Sequence, residues 1–176
     1  MPFLERTALL RRLEDHLAES ANGCGRLVCI AGEAGAGKST LAQALASAAR
    51  ERVRVLWGAC EDLSTPQPLG PLHDLARRGG WSTQIAHDAT SQMALYSAVL
   101  EEMAGEPTLV VLEDLHWADD ATLDLVRFLG RRIHDLAIML VVTARDEAWE
   151  AQARLRRALV DVAPDVWRPM EVPPLC

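Results

Sequence analysis

Residues 32–40 read Gly-Glu-Ala-Gly-Ala-Gly-Lys-Ser-Thr, a run that fits the pattern G-x-x-x-x-G-K-[ST]. Glycines let successive backbone N–H groups turn inward around a polyphosphate, because no Cβ stands in the way. The pattern places the Lys38 ammonium at the β- and γ-phosphates and the Ser39 hydroxyl on Mg²⁺. The predicted nucleotide-binding residues are Gly32, Glu33, Ala34, Gly35, Ala36, Gly37, Lys38, Ser39 and Thr40.

The segments on either side of this loop favour the same interpretation. An apolar run, Leu27–Ala31, precedes the loop, and an alanine-rich, helix-like segment covers residues 41–49. Strand, loop and helix in this order are the context in which the pattern binds phosphate, with the positive end of the helix dipole facing the anion. The alternative, a flexible Gly/Ala turn, does not require this context.

Strand-like and helix-like segments alternate along the chain, which predicts an α/β fold with a parallel sheet and right-handed crossovers. Near-continuous apolarity, as in residues 108–112, is typical of strands buried on both faces of such a sheet. The predicted strands cover residues 26–31, 53–57, 108–112, 137–142 and 166–172. The predicted helices cover residues 5–21, 41–50, 92–104, 120–134 and 147–160, with a short one near 71–78.

Composition excludes several other classes of protein. The chain has 176 residues, enough for one domain, and a net charge of −7, which argues against a large nucleic-acid-binding face. Its four cysteines show no C-x-x-C spacing, so we expect neither a zinc site nor a disulfide framework, and a reducing cytoplasm is the natural location. No apolar run reaches membrane-spanning length, and the N-terminus lacks a signal-peptide layout.

Two acids follow the third predicted strand. Glu113 and Asp114 stand where a parallel sheet presents its carboxyl edge to a ligand. We expect one carboxylate to hold Mg²⁺, largely through water, and the other to orient or deprotonate the attacking water. Register favours Glu113 on the metal and Asp114 as the base, but the sequence leaves the exchange of these roles open. The alternative is that both acids simply begin a surface loop.

The fourth predicted strand ends in Val-Thr-Ala-Arg, residues 142–145. Thr143 is a candidate for holding the attacking water, and Arg145 for contacting the γ-phosphate, because a guanidinium pairs with phosphate oxygens. The alternative for Arg145 is an ion pair with Asp146 or Glu147 at a helix start.

Taken together, these segments resemble the AAA-like ATPase module of STAND regulators, which are signal-transducing ATPases with numerous domains. The resemblance is to the N-terminal ATPase of large LuxR-family transcriptional regulators and their relatives. It is carried by residues 32–40, Leu109–Asp119 and Val141–Arg145, and more weakly by Phe3-Leu4-Glu5-Arg6. The most family-specific part is Glu113-Asp114-Leu115-His116-Trp117-Ala118-Asp119. Two departures are Leu-Glu-Arg in place of the usual Val-Gly-Arg, and Glu113 where many relatives carry aspartate.

The resemblance implies a P-loop NTPase three-layer sandwich with about five parallel strands in the order 5-1-4-3-2. It also implies ATP/ADP and Mg²⁺ as ligands. The whole chain, residues 1–176, is then one ATPase domain with a helix near the adenine in 1–25 and a nucleotide-binding core in 26–165. Residues 166–176 would supply the last strand and the start of a lid, since Val172-Pro173-Pro174-Leu175 resembles the family's lid junction.

We therefore expect an ATP-binding, slowly hydrolysing switch domain that belongs to a larger regulator. Its expected partners are the nucleotide, attached C-terminal domains and, through nucleotide-dependent self-association, further copies; no membrane or nucleic-acid contact is expected. Arg131-Arg132 is a weak candidate for an arginine finger acting between copies. Alternatives are a small-molecule kinase using the same loop, a non-catalytic scaffold that holds ADP, and, for the chain ending, a complete small protein with a proline-rich tail.

Overall fold

Five parallel strands form one sheet in the order β2-β3-β4-β1-β5, with helices on both faces. The structure is a computed structural model, and it describes residues 2–64, 67–81 and 90–174. Read from the other edge, this order is 5-1-4-3-2, so the predicted α/β three-layer fold and strand order are confirmed. Leu175, the last residue of the predicted lid junction, lies outside the described residues, as does Cys176.

The elements of the described residues alternate as the sequence predicts. The strands are β1 Arg26–Gly32, β2 Arg54–Ala59, β3 Thr108–Glu113, β4 Ile138–Arg145 and β5 Trp167–Glu171. The helices are α1 Pro2–Ala21, α2 Lys38–Ala49, α3 Gly70–Gly79, α4 Gln92–Ala104, α5 Asp120–Gly130, α6 Asp146–Ala151 and α7 Ala153–Val160, with a 3₁₀ turn at Leu115–Trp117.

One face of the sheet is covered by α1 and α2. Leu13 and Leu17 of α1 are buried with Leu41 and Leu45 of α2 against alternate residues of the central strands, such as Val28. This arrangement follows from two periodicities, because residues four apart share a helix face and residues two apart share a sheet face. The buried contact anchors α2, whose first residue is Lys38.

The other face carries α3, α4, α5 and α7, which share one apolar cluster with the strands. Ser91 caps α4 by accepting a hydrogen bond from the Ala94 amide at 3.1 Å. Within this layer the rings of Tyr96 and Phe128 lie 5.6 Å apart. The same cluster includes Leu115, so it also fixes the turn that follows β3.

Strand register brings the predicted site residues to one edge of the sheet. Gly32 on β1 lies opposite Arg145 on β4, and Ile30 lies opposite Thr143. Glu113 ends β3 opposite Ala59 on β2. All five strands run in the same direction, so their carboxyl ends meet at this edge.

Two helix predictions need correction. The helix predicted over 147–160 is broken at Gln152, whose φ of −101° and ψ of 96° are extended. The Gln152 side chain donates to the His116 carbonyl at 3.3 Å, and the break lets α7 turn its buried residues onto α5. The helix predicted to reach residue 134 ends at Gly130.

Pro169 lies within β5. Its placement is explained by β5 lying at the sheet edge, where a missing N–H is tolerated. Among the described residues, none of the helices has the length and apolarity required to cross a bilayer.

Candidate phosphate-binding site

The loop between β1 and α2 depends on two glycines. Gly35 has φ of 77° and Gly37 has φ of 85°, values that a side chain with a Cβ disfavours. Gly37 precedes α2 and offers no capping side chain, so the first amides of the helix stay available to an anion.

Lys38 lies within this loop. Its side chain is only 7% exposed, and Nζ donates to the carbonyls of Gly32 and Glu33, each at 2.8 Å. Burial lowers the pKa of Lys38, while Asp114 and Asp146 act in the opposite direction. The ammonium is therefore held over the loop by backbone acceptors, where phosphate oxygens would compete for it.

Glu113 is fixed by a neighbouring strand. Its Oε2 accepts a hydrogen bond from Trp57 Nε1 at 2.9 Å. By alternation along β3, Glu113 shares a face with Val111 and Leu109, which pack with the α2 side of the sheet. It thus lies on the same face as Lys38 and Ser39. The role of Trp57 escaped the sequence analysis, which treated this tryptophan only as part of an apolar strand.

Asp114 occupies the left-handed region, with φ of 54°, which Asp tolerates better than most residues. Its amide donates to Thr143 Oγ1 at 2.9 Å, and Thr143 is fully buried. The Thr143 hydroxyl therefore anchors the backbone beside the acid pair. Its predicted contact with an attacking water stays a prediction.

Arg145 stands at the end of β4 in register with Gly32. Its guanidinium carbon lies 5.7 Å from the centre of the Trp117 ring. Asp146 and Glu147, the alternative partners, lie in the first turn of α6, and none of the ion pairs in the described residues joins either of them to Arg145.

The 3₁₀ turn after Asp114 places His116 against Trp117, with ring centres 4.9 Å apart. His116 is 4% exposed, and in the described part of the chain neither ring nitrogen has a hydrogen-bond partner. Burial lowers the pKa of His116, and Asp114 raises it less. Trp117 packs against the apolar cluster below, which supports a structural role for that ring.

Arg6 also contacts the loop, which the sequence analysis did not foresee. Its Nη2 donates to the carbonyl of Ala36, and Nη1 lies 3.5 Å from the carbonyl of Gly37. The only signal in the sequence was the opening segment that ends at Arg6. Arg132, one of the two candidate finger residues, stacks on Phe128 with its guanidinium carbon 3.9 Å from the ring centre, and a role between copies stays a prediction.

The residues present fit a nucleotide with Mg²⁺. One loop carries a buried ammonium and leads directly into an uncapped helix N-terminus, and both favour a polyphosphate. Within the described ranges there is no group of three His, Cys, Asp or Glu side chains placed to hold a metal ion. Mg²⁺ bound to phosphate oxygens needs only one or two protein ligands besides water, and Ser39 with one acid can supply them.

Comparison with known proteins agrees with this geometry. A family model described as AAA ATPase domain matches residues 2–142. A search of curated proteins found no match.

Several solved structures share the fold. The Aeropyrum pernix ORC2 protein, solved as ADPNP-ADP complexes, is 20% identical with a TM-score of 0.63, over 96% of this chain and 46% of that one. Cdc6p from Pyrobaculum aerophilum is 13% identical with a TM-score of 0.64, over 95% and 45% of the two chains. The Drosophila ORC bound to DNA is 12% identical with a TM-score of 0.66, over 96% and 42%. The chain thus spans less than half the length of these proteins.

Proposed function

Because the chain belongs to the AAA ATPase domain family, we propose that it is an ATP-binding and slowly hydrolysing switch domain, acting within a larger cytoplasmic signalling regulator. One observation carries the proposal: Lys38 is buried where the glycine-rich loop enters α2, and its ammonium is held by the carbonyls of Gly32 and Glu33. The nucleotide complexes of the ORC2 neighbour are consistent with ATP or ADP as the ligand.

Binding would use the loop backbone and Lys38. The N–H groups at the start of α2 contact phosphate oxygens, and the Lys38 ammonium exchanges its bonds to Gly32 and Glu33 for bonds to the β- and γ-phosphates. Bound Mg²⁺, held by Ser39 and Glu113, would neutralise part of the phosphate charge.

Hydrolysis would use Asp114. Its carboxylate orients one water and accepts a proton from it as the oxygen forms a bond to the γ-phosphorus and the bond to ADP breaks. Thr143 serves this step indirectly, because its hydroxyl fixes the Asp114 backbone. The choice of Asp114 over Glu113 as the base follows from the bond that ties Glu113 to Trp57.

The switch would involve Arg145. In the structure this guanidinium lies over Trp117, one residue from the buried His116. Contact with a γ-phosphate draws Arg145 off the indole, and loss of that phosphate returns it, so the 3₁₀ turn reports the state of the nucleotide. The attached domains that read this change are proposed from the STAND resemblance.

The test is nucleotide binding by the wild type beside Lys38→Ala, with Arg52→Ala as the matched control, since Arg52 is an exposed cation just beyond α2. We expect Lys38→Ala to lose most ATP affinity and Arg52→Ala to keep it. Equal ATP affinity in all three proteins would sink the proposed site.

A second candidate function, a small-molecule kinase, is favoured by one observation. A groove of about 970 Å³ beside α2 and β2 is lined by Arg50, Arg54 and Arg78 and reaches Glu113, so it suits an anionic phosphate acceptor. ATP-dependent phosphorylation of sugars, nucleosides or their phosphates, at rates above hydrolysis, would establish the kinase. ADP release without any acceptor would support the switch.

A further inference from the structure

The first helix contributes a cation to the phosphate-binding loop. Arg6 of α1 reaches across 30 positions of the sequence to donate from Nη2 to the Ala36 carbonyl. Its second nitrogen lies 3.5 Å from the Gly37 carbonyl, which also accepts the Leu41 amide as the first bond of α2. In the described residues Arg6 has no carboxylate partner, so these carbonyls are its polar contacts.

The direction of these contacts determines where the loop amides point. In a trans peptide the C=O and the following N–H point to opposite sides of the peptide plane. Holding the carbonyls of Ala36 and Gly37 towards Arg6 therefore turns the N–H groups of Gly37 and Lys38 away from it, towards the interior of the loop. These are the amides that a phosphate-binding loop offers to its anion.

Gly37 makes this approach possible. A Cβ on Gly37 would lie 2.5 Å from Arg6 Nη1, closer than real contacts allow. The positive φ is the main reason for a glycine at the end of the loop, and the missing Cβ also leaves room for the guanidinium in this position.

We propose that Arg6 is a positioning residue that orients the loop amides towards the β-phosphate; this rests on the proposed nucleotide site. The guanidinium stays charged at every physiological pH, and its planar fork matches two neighbouring carbonyls. Arg6 also adds positive charge beside Gly37, the residue that precedes α2. That concentration of charge is favourable when a polyanion occupies the loop.

The experiment measures ATP binding and the displacement of labelled ATP by inorganic triphosphate, which has no adenine. Arg6→Gln keeps a donor but loses charge and fork, Arg6→Lys keeps the charge, and Arg12→Gln is the control on the exposed side of α1. We expect Arg6→Gln to lower the affinity for ATP and the affinity for triphosphate alike, by about tenfold. The affinities of Arg6→Lys should lie between those of Arg6→Gln and the wild type. The affinities of Arg12→Gln should equal those of the wild type.

Two results would overturn the proposal. Weaker ATP binding with unchanged triphosphate binding would place Arg6 at the adenosine, and unchanged binding of both would remove it from the site. Thermal unfolding without nucleotide checks that the variants fold. If Arg6→Gln does not fold, the ATP and triphosphate binding of Arg6→Lys decides the outcome. Lys38→Ala separates this proposal from the proposed function: if Lys38→Ala loses ATP while both Arg6 variants keep it, only the positioning role fails.

Discussion

Trp57 donates its indole N–H to Oε2 of Glu113 over 2.9 Å, joining two neighbouring strands at the carboxyl edge of the sheet. The bond occupies one carboxylate oxygen, Oε2, and leaves Oε1 without this partner. A partner of this kind orients a metal-side carboxylate, and the loss of such a partner commonly weakens metal binding.

Trp57→Phe should therefore raise the Mg²⁺ concentration needed for half-maximal ATP hydrolysis by about tenfold. A Mg²⁺ titration at saturating ATP measures this. Trp81→Phe is the matched control, because the buried Trp81 N–H has no hydrogen-bond partner in the described residues and its loss should leave the titration unchanged. Identical titrations for Trp57→Phe and the wild type would contradict the assignment of Glu113 to the metal.

Thr143→Val should destabilise the protein by about 1–3 kcal/mol, because the Asp114 amide loses its acceptor. Thr143→Ser keeps the hydroxyl, so its free energy of unfolding should fall much less. Urea unfolding gives the free energies. Thr108→Val is the control for the loss of a buried threonine hydroxyl. The Thr108 hydroxyl donates to the Glu106 carbonyl at the opposite end of β3. Its removal should therefore lower stability without slowing ATP hydrolysis. Slower hydrolysis in Thr108→Val than in Thr143→Val would contradict this account.

Lys38 is the only lysine in the sequence, so an amine-specific acylating reagent has two targets, Lys38 and the N-terminal amine. Only 7% of Lys38 is exposed, and acylation there should be slow in the native protein and fast in urea. ATP at about ten times its Kd should slow acylation of Lys38 about tenfold further. Mass spectrometry of the peptides measures both sites. Equal protection of the N-terminal amine would show a general effect rather than occupation of the loop.

His134 should make stability depend on pH. Asp135 and Asp165 raise the pKa of His134 above its ordinary value of 6.5, and its Nδ1 lies 2.6 Å from Asp135. A raised pKa in the folded protein means that the protonated form stabilises it, so the benefit is complete below pH 6.5 and is lost as pH rises through the folded pKa. The melting temperature of the wild type should exceed that of His134→Gln at pH 6 and approach it near pH 9. A constant difference across this range would contradict the ion pairs.

The sequence predicted those features that are encoded locally. The phosphate loop, the acid pair and the strands that carry them depend on runs of adjacent residues, and the sheet order followed from the family resemblance. The break at Gln152 was missed because the helical pattern continues through it, whereas the Gln152 side chain contacts the His116 carbonyl, 36 positions away.

The missed site contacts have the same origin. Trp57 and Glu113 are separated by 56 positions, and Arg6 and Ala36 by 30. No periodicity within one segment reveals which side chain of another segment will meet it. Trp57 could be foreseen only as an apolar strand residue, and Arg6 only as part of an opening segment near the nucleotide.

Because the Asp114 backbone is left-handed, most substitutions there change the backbone preference as well as the side-chain chemistry. Asp114→Ala removes the carboxylate and also places a poorly suited residue at φ of 54°, so a slower enzyme would have two causes. Asp114→Asn keeps the backbone preference and removes only the charge, and it alone isolates the chemistry. The same geometry favours aspartate, asparagine and glycine at this position, and of these only aspartate carries a carboxylate that could take a proton from water.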